Sequence, residues 1–379
     1  MKLENFGRAS VSDFLRERIV YRNLEPLDPR IPGLSELRKT LNLPTPAVPR
    51  KSEPDYARTI LSILKAARQI ECPGTALRQL VYVGDTRLND ARAFTNLCRR
   101  SGLPGQAFIC AENSEPPAIE VERLDRNIIL NFANRWNALA AFRDSACGDP
   151  IDEHTAVVID LDKTAIGARG RNDQAIDQAR TEAIRTTASQ LLGQDFDDRA
   201  FQNAYSQLNQ VEFHAFTLDN QDYLAYICLI ISGGYRNLDR LISEVRSGKL
   251  VSFEQFISQV DENMSLLPEN LSRLHSDVFA KVQAGDPTPF KEFRRNEYLK
   301  TVERMGYLDD STPVGRILME EIVITREVLD FALECRAQGA LIFGLSDKPD
   351  EASLPDEGQT AAGYLPIHKT TAHMVGMPV

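Results

Sequence analysis

Short apolar runs alternate with amphipathic stretches in the two terminal parts of the chain. The runs LVYVGD at 80–85, QAFICAE at 106–112 and AVVID at 156–160 are rich in β-branched or aromatic residues and predict strands. A fourth run, ALIFGLS at 340–346, lies near the C-terminus. The other stretches have helical spacing and lie at 55–70, 91–102, 126–146 and 327–339. This alternation predicts an α/β fold with a doubly wound parallel sheet, whose ligand site lies at the carboxyl ends of the strands.

The middle of the chain has a different pattern. From about residue 171 to 330, the recognisable segments have helical periodicity and none predicts a strand. We therefore expect an all-helical domain inserted into the α/β domain. The expected boundaries are 1–168 for the first part of the α/β domain, 169–326 for the helical domain and 327–379 for the second part. Residues 1–50 are expected to form an irregular arm with one or two short helices.

Composition and charge narrow the class of protein. With 42% hydrophobic and 26% charged residues, the chain is typical of globular proteins, and its net charge of −10 argues against a nucleic-acid partner. No apolar run predicts a membrane span, and MKLENFGRASVSDF lacks the apolar core of a signal peptide. Six scattered cysteines without a C-x-x-C pair are expected to be reduced thiols, which predicts a soluble cytoplasmic protein. These are Cys72, Cys98, Cys110, Cys147, Cys228 and Cys335.

Polar residues stand at the ends of three of the predicted strands. Asp160 ends the run AVVID, and Asp162 follows two residues later. Asp85 ends LVYVGD, with Asp90 five residues later, and Ser346 ends ALIFGLS. Carboxylates resist burial unless a cation, a proton or an open cleft accompanies them, so these positions indicate a site. The simpler alternatives are a solvated turn for the first pair, a helix N-terminus for the second pair and a helix cap for the serine.

The sequence VVIDLDKT resembles the first motif of the haloacid dehalogenase superfamily, an apolar strand followed by D-x-D-x-T. The resemblance implies that Asp160 attacks a phosphoryl group and becomes an aspartyl phosphate. It also implies that Asp162 protonates the leaving oxygen and then activates water, while Thr164 shapes the loop. This chemistry needs one ionised carboxylate and one that exchanges a proton, and neighbouring acids can divide these roles.

The other two strand ends resemble further motifs of the same superfamily. ALIFGLS is similar to its second motif, which implies that the hydroxyl of Ser346 holds the phosphoryl group. LVYVGDTRLND is similar to its fourth motif, which implies a magnesium site. The implied ligands are Asp85, Asp160 and the backbone carbonyl of Asp162, with Asp90 binding directly or through water. Magnesium prefers hard oxygen ligands and retains some of its waters, so this set suits it.

The third motif of the superfamily supplies a lysine that neutralises the nucleophile and the phosphate. Lys51, which precedes the helical stretch at 55–70, is the first choice, although Lys-Ser replaces the family's Lys-Pro. Lys348, just past the second motif, and Lys369, in GYLPIHKT, are the alternatives. The choice between the three lysines stays open at this point.

Substrate contacts are expected close to these motifs. Ser346 and Lys348 are candidates from the second motif. Arg169 and Arg171 follow the first motif, where the chain enters the helical domain, and could meet substrate anions. A solvated linker is the alternative interpretation of both arginines.

The motifs occur in an unusual order along the chain. The family runs from its first motif to its fourth, whereas this chain has the third, fourth, first and then second, as after a circular permutation. Folds tolerate this when the original termini lie close together. The helical domain separates the first and second motifs, where the family carries a cap that excludes water and selects the substrate.

Taken together, the resemblance implies a magnesium-dependent phosphatase that acts on a small phosphorylated metabolite. Two alternatives stay open. One is a catalytically silent member whose helical domain binds a protein partner, and the other is a phosphotransferase that uses the same site. No motif in 171–330 indicates the identity of the substrate.

Overall fold

A computed structural model describes residues 2–44, 47–125, 127–146 and 150–378. The chain divides into two compact units. We call Met1–Gln178 together with Thr301–Val379 the core unit, and Ala179–Lys300 the helical unit. The helical unit starts later and ends earlier than the expected domain at 169–326.

The strands that the structure describes all lie in the core unit. They are β1 Glu4–Ala9, β2 Ile19–Val20, β3 Gln79–Gly84, β4 Gly105–Cys110, β5 Ile119–Arg123, β6 Ile128–Ala133, β7 Thr155–Asp160, β8 Ile324–Thr325, β9 Leu341–Leu345 and β10 Ala372–Gly376. Seven strands form one sheet in the order β2-β9-β7-β3-β4-β6-β5, and only the β5–β6 pair is antiparallel. A second sheet has the order β1-β10-β8. The expected α/β fold with a largely parallel sheet is therefore confirmed.

Helices make up much of the rest of the described chain. They are α1 Ser12–Leu15, α2 Leu34–Thr40, α3 Pro54–Glu71, α4 Asp90–Ser101, α5 Ala138–Ala146, α6 Asp173–Leu192, α7 Asp198–Leu208, α8 His214–Thr217, α9 Gln221–Ser232, α10 Leu238–Arg246, α11 Phe253–Glu262, α12 Glu269–Gln283, α13 Lys291–Val302, α14 Val314–Glu320, α15 Arg326–Ala337 and α16 Glu357–Ala361.

Helices cover both faces of the seven-stranded sheet. On one face, Leu80 and Tyr82 of β3 share an apolar cluster with residues of α3 and α4. On the other face, the ring of Phe108 in β4 lies 6.3 Å from that of Trp136 and 5.4 Å from that of Phe142 in α5. All six residues of β7 are buried. A strand covered on both faces has a continuous apolar run, which explains the run AVVID.

The first 50 residues are more regular than the sequence suggests. β1 pairs antiparallel with β10, and β2 pairs parallel with β9. β1 has the mostly polar sequence ENFGRA and β2 has only two residues, so neither carries the apolar run of a buried strand. The short helices expected in this segment are present as α1 and α2, but the expectation of an otherwise irregular arm is wrong because the partners of these strands come from the other end of the chain.

The expectation of a single helix over 126–146 is also wrong for the first half of that segment. There the structure has β6, paired with β4 and β5, and α5 begins only at Ala138. Asn131 in the middle of β6 is buried, and its Nδ2 donates to the carbonyl oxygen of Ala107 at 3.1 Å. The sheet thus provides a hydrogen-bond partner for Asn131, a polar residue that gave the segment the pattern of an amphipathic helix. Short apolar runs are ambiguous between helix and strand on periodicity alone.

The helical unit has α9 as its buried centre. Every residue of α9 from Asp222 to Ser232 is buried, and a helix that is apolar on most sides is typical of such a position. Among the described residues of this unit there is no strand. The wider segment 171–330 does contain β8, because VGRILMEEIVITREV forms α14, β8 and the start of α15 rather than one helix. That part of the expectation is wrong.

Two further observations concern membranes and cysteines. Within the described part of the chain, no helix combines the length and the apolar character needed to cross a bilayer. Five cysteines are free thiols, namely Cys72, Cys98, Cys110, Cys228 and Cys335. Cys147 lies outside the described residues.

A buried ion-pair cluster ties the segment after β7 to the rest of the core unit. Arg171, with 1% of its side chain exposed, pairs with Glu112 and Glu327. Its guanidinium makes four hydrogen bonds of 2.8 to 3.1 Å to these two carboxylates. The interpretation of Arg171 as part of a solvated linker is therefore wrong.

We expect Arg171→Met to lower the free energy of unfolding by about 3–5 kcal/mol, because it leaves two buried carboxylates without their cation. Urea unfolding of the purified protein measures this loss. Arg316→Met is the matched control, since Arg316 pairs with Glu320 on the surface, where its side chain is 57% exposed. That variant should cost about 0.5 kcal/mol or less. Equal losses in the two variants would contradict a stabilising role for the buried cluster.

Candidate active site at the carboxyl edge of the sheet

Three neighbouring strands bring the predicted site residues to one edge of the sheet. Asp160 is the last residue of β7, the middle one of these three strands, and is level with Leu345 of β9. On the other side, Val83 of β3 is level with the residue before Asp160. Asp85 and Ser346 therefore each lie one residue beyond the level of Asp160. Segments that are far apart in the sequence meet here because the strands are parallel and in this register.

Three buried carboxylates form a compact group at this edge. Asp85, Asp90 and Asp160 each offer a carboxylate oxygen, and the three oxygens lie within 4.8 Å of one another. Such a group could hold a metal ion, and an all-oxygen donor set suits Mg²⁺, Mn²⁺ or Ca²⁺ rather than a soft metal.

Lys51 lies between two of these carboxylates. Its Nζ donates to Asp160 Oδ1 at 2.7 Å and to Asp90 Oδ1 at 2.6 Å, and only 5% of its side chain is exposed. The other candidate lysines have different contacts. Nζ of the buried Lys348 donates to Thr301 Oγ1 at 3.4 Å, and Nζ of Lys369 pairs with Glu17 at 2.6 Å. Lys51, the first choice from sequence, is thus the lysine that contacts Asp160.

Asp90 is held by an unusually complete set of donors. Oδ1 accepts from Lys51 and from the Tyr82 hydroxyl at 2.9 Å. Oδ2 accepts from the backbone N–H of Asp85 and of Thr86 and from the Thr86 hydroxyl, at 2.7 to 3.1 Å. A carboxylate has about four lone-pair positions, so a cation would have to displace a donor to bind Asp90 directly.

The backbone allows this arrangement because residue 84 is glycine. A Cβ atom at Gly84 would lie 2.7 Å from Cγ of Asp90, so any larger residue would push the carboxylate away. Tyr82 and Thr86 were not identified from the sequence. Tyr82 belongs to the predicted strand LVYVGD and looks like an ordinary core residue, whereas Thr86 stands in the turn that follows; nothing in the pattern marks either one as a contact of Asp90.

Burial and neighbouring charges give the three acids of this group different pKa values. Burial, together with the charge of Asp90, raises the pKa of Asp85 to about 7, although Arg169 opposes the shift. Burial also raises the pKa of Asp160, against the pull of Lys51. The pKa of Asp90 is lowered, because the charge and hydrogen bond of Lys51 and the bonds from Thr86 outweigh its burial. Asp90 is therefore ionised, and Asp85 exchanges a proton near neutral pH.

Arg169 also reaches this group. Its Nε forms an ion pair with Asp85 Oδ2, while its carbonyl oxygen accepts from the N–H of Glu112 at 3.1 Å and from Nε1 of Trp136 at 3.3 Å. Its own N–H donates to the carbonyl of Lys163 at 2.8 Å. The solvated-linker alternative is thus wrong for Arg169 as well, because its backbone is fixed and its side chain contacts a site carboxylate.

The loop after β7 is tightly constrained. Lys163 has a φ of 64°, a left-handed conformation that is unfavourable for a side chain of this kind. The carbonyl of Thr164 accepts from the Thr325 hydroxyl at 2.6 Å, and the N–H of Thr325 donates to the carbonyl of Ala165 at 2.9 Å. Thr164 Oγ1 is buried and finds no hydrogen-bond partner among the described residues. The half-buried Asp162 belongs to this fixed loop, two residues past Asp160.

The second predicted motif has a similar fixed geometry. Ser346 is buried, its N–H donates to the carbonyl of Val20 at 2.9 Å, and its Oγ accepts from the N–H of Lys348 at 3.0 Å. The hydroxyl hydrogen of Ser346 is therefore oriented away from that N–H and can serve another acceptor. β2, which the sequence did not reveal, provides the carbonyl that fixes this turn.

Comparison of the chain with protein-family models, with curated proteins and with solved structures gave no match.

We expect Mg²⁺ to raise the melting temperature of the protein by several degrees at pH 8 and by much less at pH 5. The reason lies in Asp85, whose pKa is raised to about 7 in the folded protein. The native carboxyl keeps its proton in the range where the unfolded chain has lost it, so its stabilising effect is complete below about pH 4 and is lost as the pH rises towards 7. A divalent ion binds the deprotonated form and takes the place of the proton.

Differential scanning fluorimetry in EDTA and in 5–10 mM Mg²⁺ (roughly the range needed for a weak site) measures the shift. Asp85→Asn should lose most of it, whereas Asp309→Asn, which removes an exposed acid of the same unit, should retain it. A shift that is as large at pH 5 as at pH 8, or that survives in Asp85→Asn, would refute a cation site at this carboxylate.

The ion pair between Arg169 and Asp85 leads to a separate expectation. Arg169→Gln should bind Mg²⁺ about 3- to 10-fold more tightly at pH 8, because it removes a cation that competes for Asp85. Isothermal titration calorimetry measures the affinity directly, with Arg316→Gln as the control at an exposed arginine. Weaker binding in Arg169→Gln would indicate that Arg169 supports the ion rather than competing with it.

Proposed function

We propose that the protein is a magnesium-dependent phosphatase of the haloacid dehalogenase type, which hydrolyses a small phosphorylated metabolite through an aspartyl phosphate. One observation carries the proposal: the Lys51 ammonium contacts Asp160 at 2.7 Å and Asp90 at 2.6 Å beside Asp85. Two acids at adjacent parallel strand ends, a third at the start of α4 and a lysine before α3 combine a nucleophile, a cation site and a fixed positive charge.

The residues present suit a magnesium ion. Asp85 and Asp160 would supply carboxylate oxygens and Asp162 its backbone carbonyl, while Asp90 would contribute through water, or directly after one of its donors is displaced. When bound, the ion offsets negative charge on the acids and on the phosphoryl oxygens.

Asp160 is the proposed nucleophile. Lys51 holds Oδ1 by a hydrogen bond, which orients the carboxylate, and its charge opposes the rise in the pKa of Asp160 that burial causes. Oδ2 then forms the bond to phosphorus as the bond from phosphorus to the leaving alcohol oxygen breaks. Only 7% of the Asp160 side chain is exposed, so the reacting carboxylate is largely shielded from water.

Asp162 is the proposed proton carrier. It gives a proton to the leaving oxygen in the first step. In the second step it takes a proton from the water that attacks phosphorus, which releases inorganic phosphate and restores the Asp160 carboxylate. The fixed loop around Lys163 and Thr164 supports this role, because proton transfer requires a defined position of the side chain.

Ser346 and Lys348 are the proposed contacts of the phosphoryl oxygens. The hydroxyl of Ser346 retains its hydrogen for such an oxygen, because its Oγ already accepts from the backbone N–H of Lys348. We assign Arg169 to the recognition of a further anionic group of the substrate. We also assign to the helical unit, which follows the first motif and precedes the second, the role of the cap that selects the substrate.

Asp160→Asn should lower the turnover of p-nitrophenyl phosphate in Mg²⁺ by about 10⁴-fold or more, because the nucleophile is lost. Lys51→Met should lower it by about 10²- to 10³-fold, because the positive charge beside the nucleophile and the phosphate is lost. Absorbance of the released nitrophenolate measures both effects.

Lys369→Met is the matched control, because Lys369 pairs with Glu17 rather than with the acids, and it should keep nearly full activity. Rapid quenching in acid followed by peptide mass spectrometry should find the transient phosphate on the peptide that contains Asp160. Undiminished turnover in Asp160→Asn, or phosphate trapped on another residue, would end the proposal.

A further inference from the structure

A separate cavity lies within the helical unit. It has a volume of about 490 Å³ and is bounded by the end of α9, the turn before α10, one face of α11 and the segment that follows α11. This volume falls in the range of small-molecule sites, which hold ligands of roughly ten to twenty non-hydrogen atoms. All of its lining residues belong to the helical unit, so the cavity is distinct from the carboxylate group of the core unit.

The lining of this cavity is positively charged. The described residues that line it include Arg236 and Arg240 and no aspartate or glutamate, in a chain whose net charge is −10. One acid, Glu244, pairs with both arginines and leaves the group with one excess positive charge. A local positive site on an acidic protein attracts small anions selectively.

Hydrogen bonds hold Arg236 in place at the cavity, although one of its N–H groups has no partner among the described residues. Its Nη2 donates to Glu244 and, at 3.0 Å, to Oε1 of Gln259 in α11, which fixes the plane of the guanidinium. Its Nε is buried and has no acceptor among the described residues. Because Nε has no accessible surface, a ligand would contact other parts of this side chain, of which 21% is exposed.

Other side chains add donors and an apolar surface. Asn237 caps α10 by accepting from the N–H of Arg240 through Oδ1, which leaves its side-chain N–H groups for a ligand. Tyr235 and Phe256 line the cavity, and Leu266 at its edge is 71% exposed. Aromatic and aliphatic walls with a few fixed polar groups are typical of sites for small organic ligands.

We propose that this cavity binds a small organic acid, whose carboxylate contacts Arg236, Arg240 and Asn237 and whose aromatic or aliphatic body packs on Phe256 and Tyr235. The site is independent of the proposed phosphatase chemistry. It gives the helical unit a ligand of its own, with the chemistry of a carboxylate rather than of a phosphate ester.

Phenylacetate is the probe, and its binding to the full-length protein is measured by isothermal titration calorimetry and by saturation-transfer NMR. We expect a Kd on the order of 1 mM or tighter for a ligand of this size. Phenylacetamide, which has the same shape without the charge, should bind at least about tenfold more weakly, as one lost charge contact predicts. Phenylphosphonate tests whether the site prefers a phosphoryl group; stronger binding of it than of phenylacetate would overturn the assignment to a carboxylate.

Variants locate the binding. Arg236→Gln should weaken phenylacetate at least about tenfold, and Val260→Phe should weaken it by filling the cavity, which contains Val260 in its wall. Arg246→Gln is the matched control, since Arg246, at the other end of α10, pairs with Glu212 on the surface. Lys51→Met should leave the affinity unchanged. Equal affinity in Arg236→Gln, or loss of binding in Lys51→Met, would refute the proposed site, and circular dichroism confirms that each variant is folded.

Discussion

The contact of one buried ammonium with two carboxylates is the interaction on which the core unit's site depends. Lys51 lies between Asp90 and Asp160, and all three side chains are nearly inaccessible to solvent. Without the lysine, three acids within 4.8 Å would have to be largely protonated, because burial and mutual repulsion both oppose ionisation. The lysine therefore allows the acids to come together, and the acids in turn allow a lysine to be buried. The entry to α3 and the turn after β3 are fixed by this mutual requirement.

The register of the parallel sheet explains how segments that are far apart in the chain meet at one site. Val83, Asp160 and Leu345 belong to three strands that follow one another across the sheet, although they come from the beginning, the middle and the end of the chain. Parallel strands in register expose their carboxyl ends at one edge, whatever the order in which the chain forms them. A permuted chain can thus assemble the same side chains, provided that the strands keep their neighbours.

The sequence was informative where a residue's environment follows from its own segment. The strands that end in Gly84 and Asp160 and the strand before Ser346 are continuous apolar runs, so both their existence and the polar residues that follow them could be read directly. β2 and β8 have two residues each and exist only because longer strands pair with them, so no local pattern could reveal them. The choice of Lys51 over two other lysines, and the part of Tyr82 in holding Asp90, depend on packing across the sheet, which the sequence does not encode locally.

The acids of the site differ in a way that favours a division of labour. Asp90 is surrounded by donors from Lys51, Tyr82 and Thr86, so it stays ionised and acts as a permanent counter-charge. Asp85 has one arginine as its partner, and burial raises its pKa to about 7, so its proton and that arginine are both exchangeable for another cation. Three carboxylates against two basic side chains leave one negative charge that is not compensated when all are ionised. A divalent ion would reverse that imbalance, whereas a monovalent ion would only cancel it, and the resulting excess of positive charge would suit the phosphate ester that we propose as substrate.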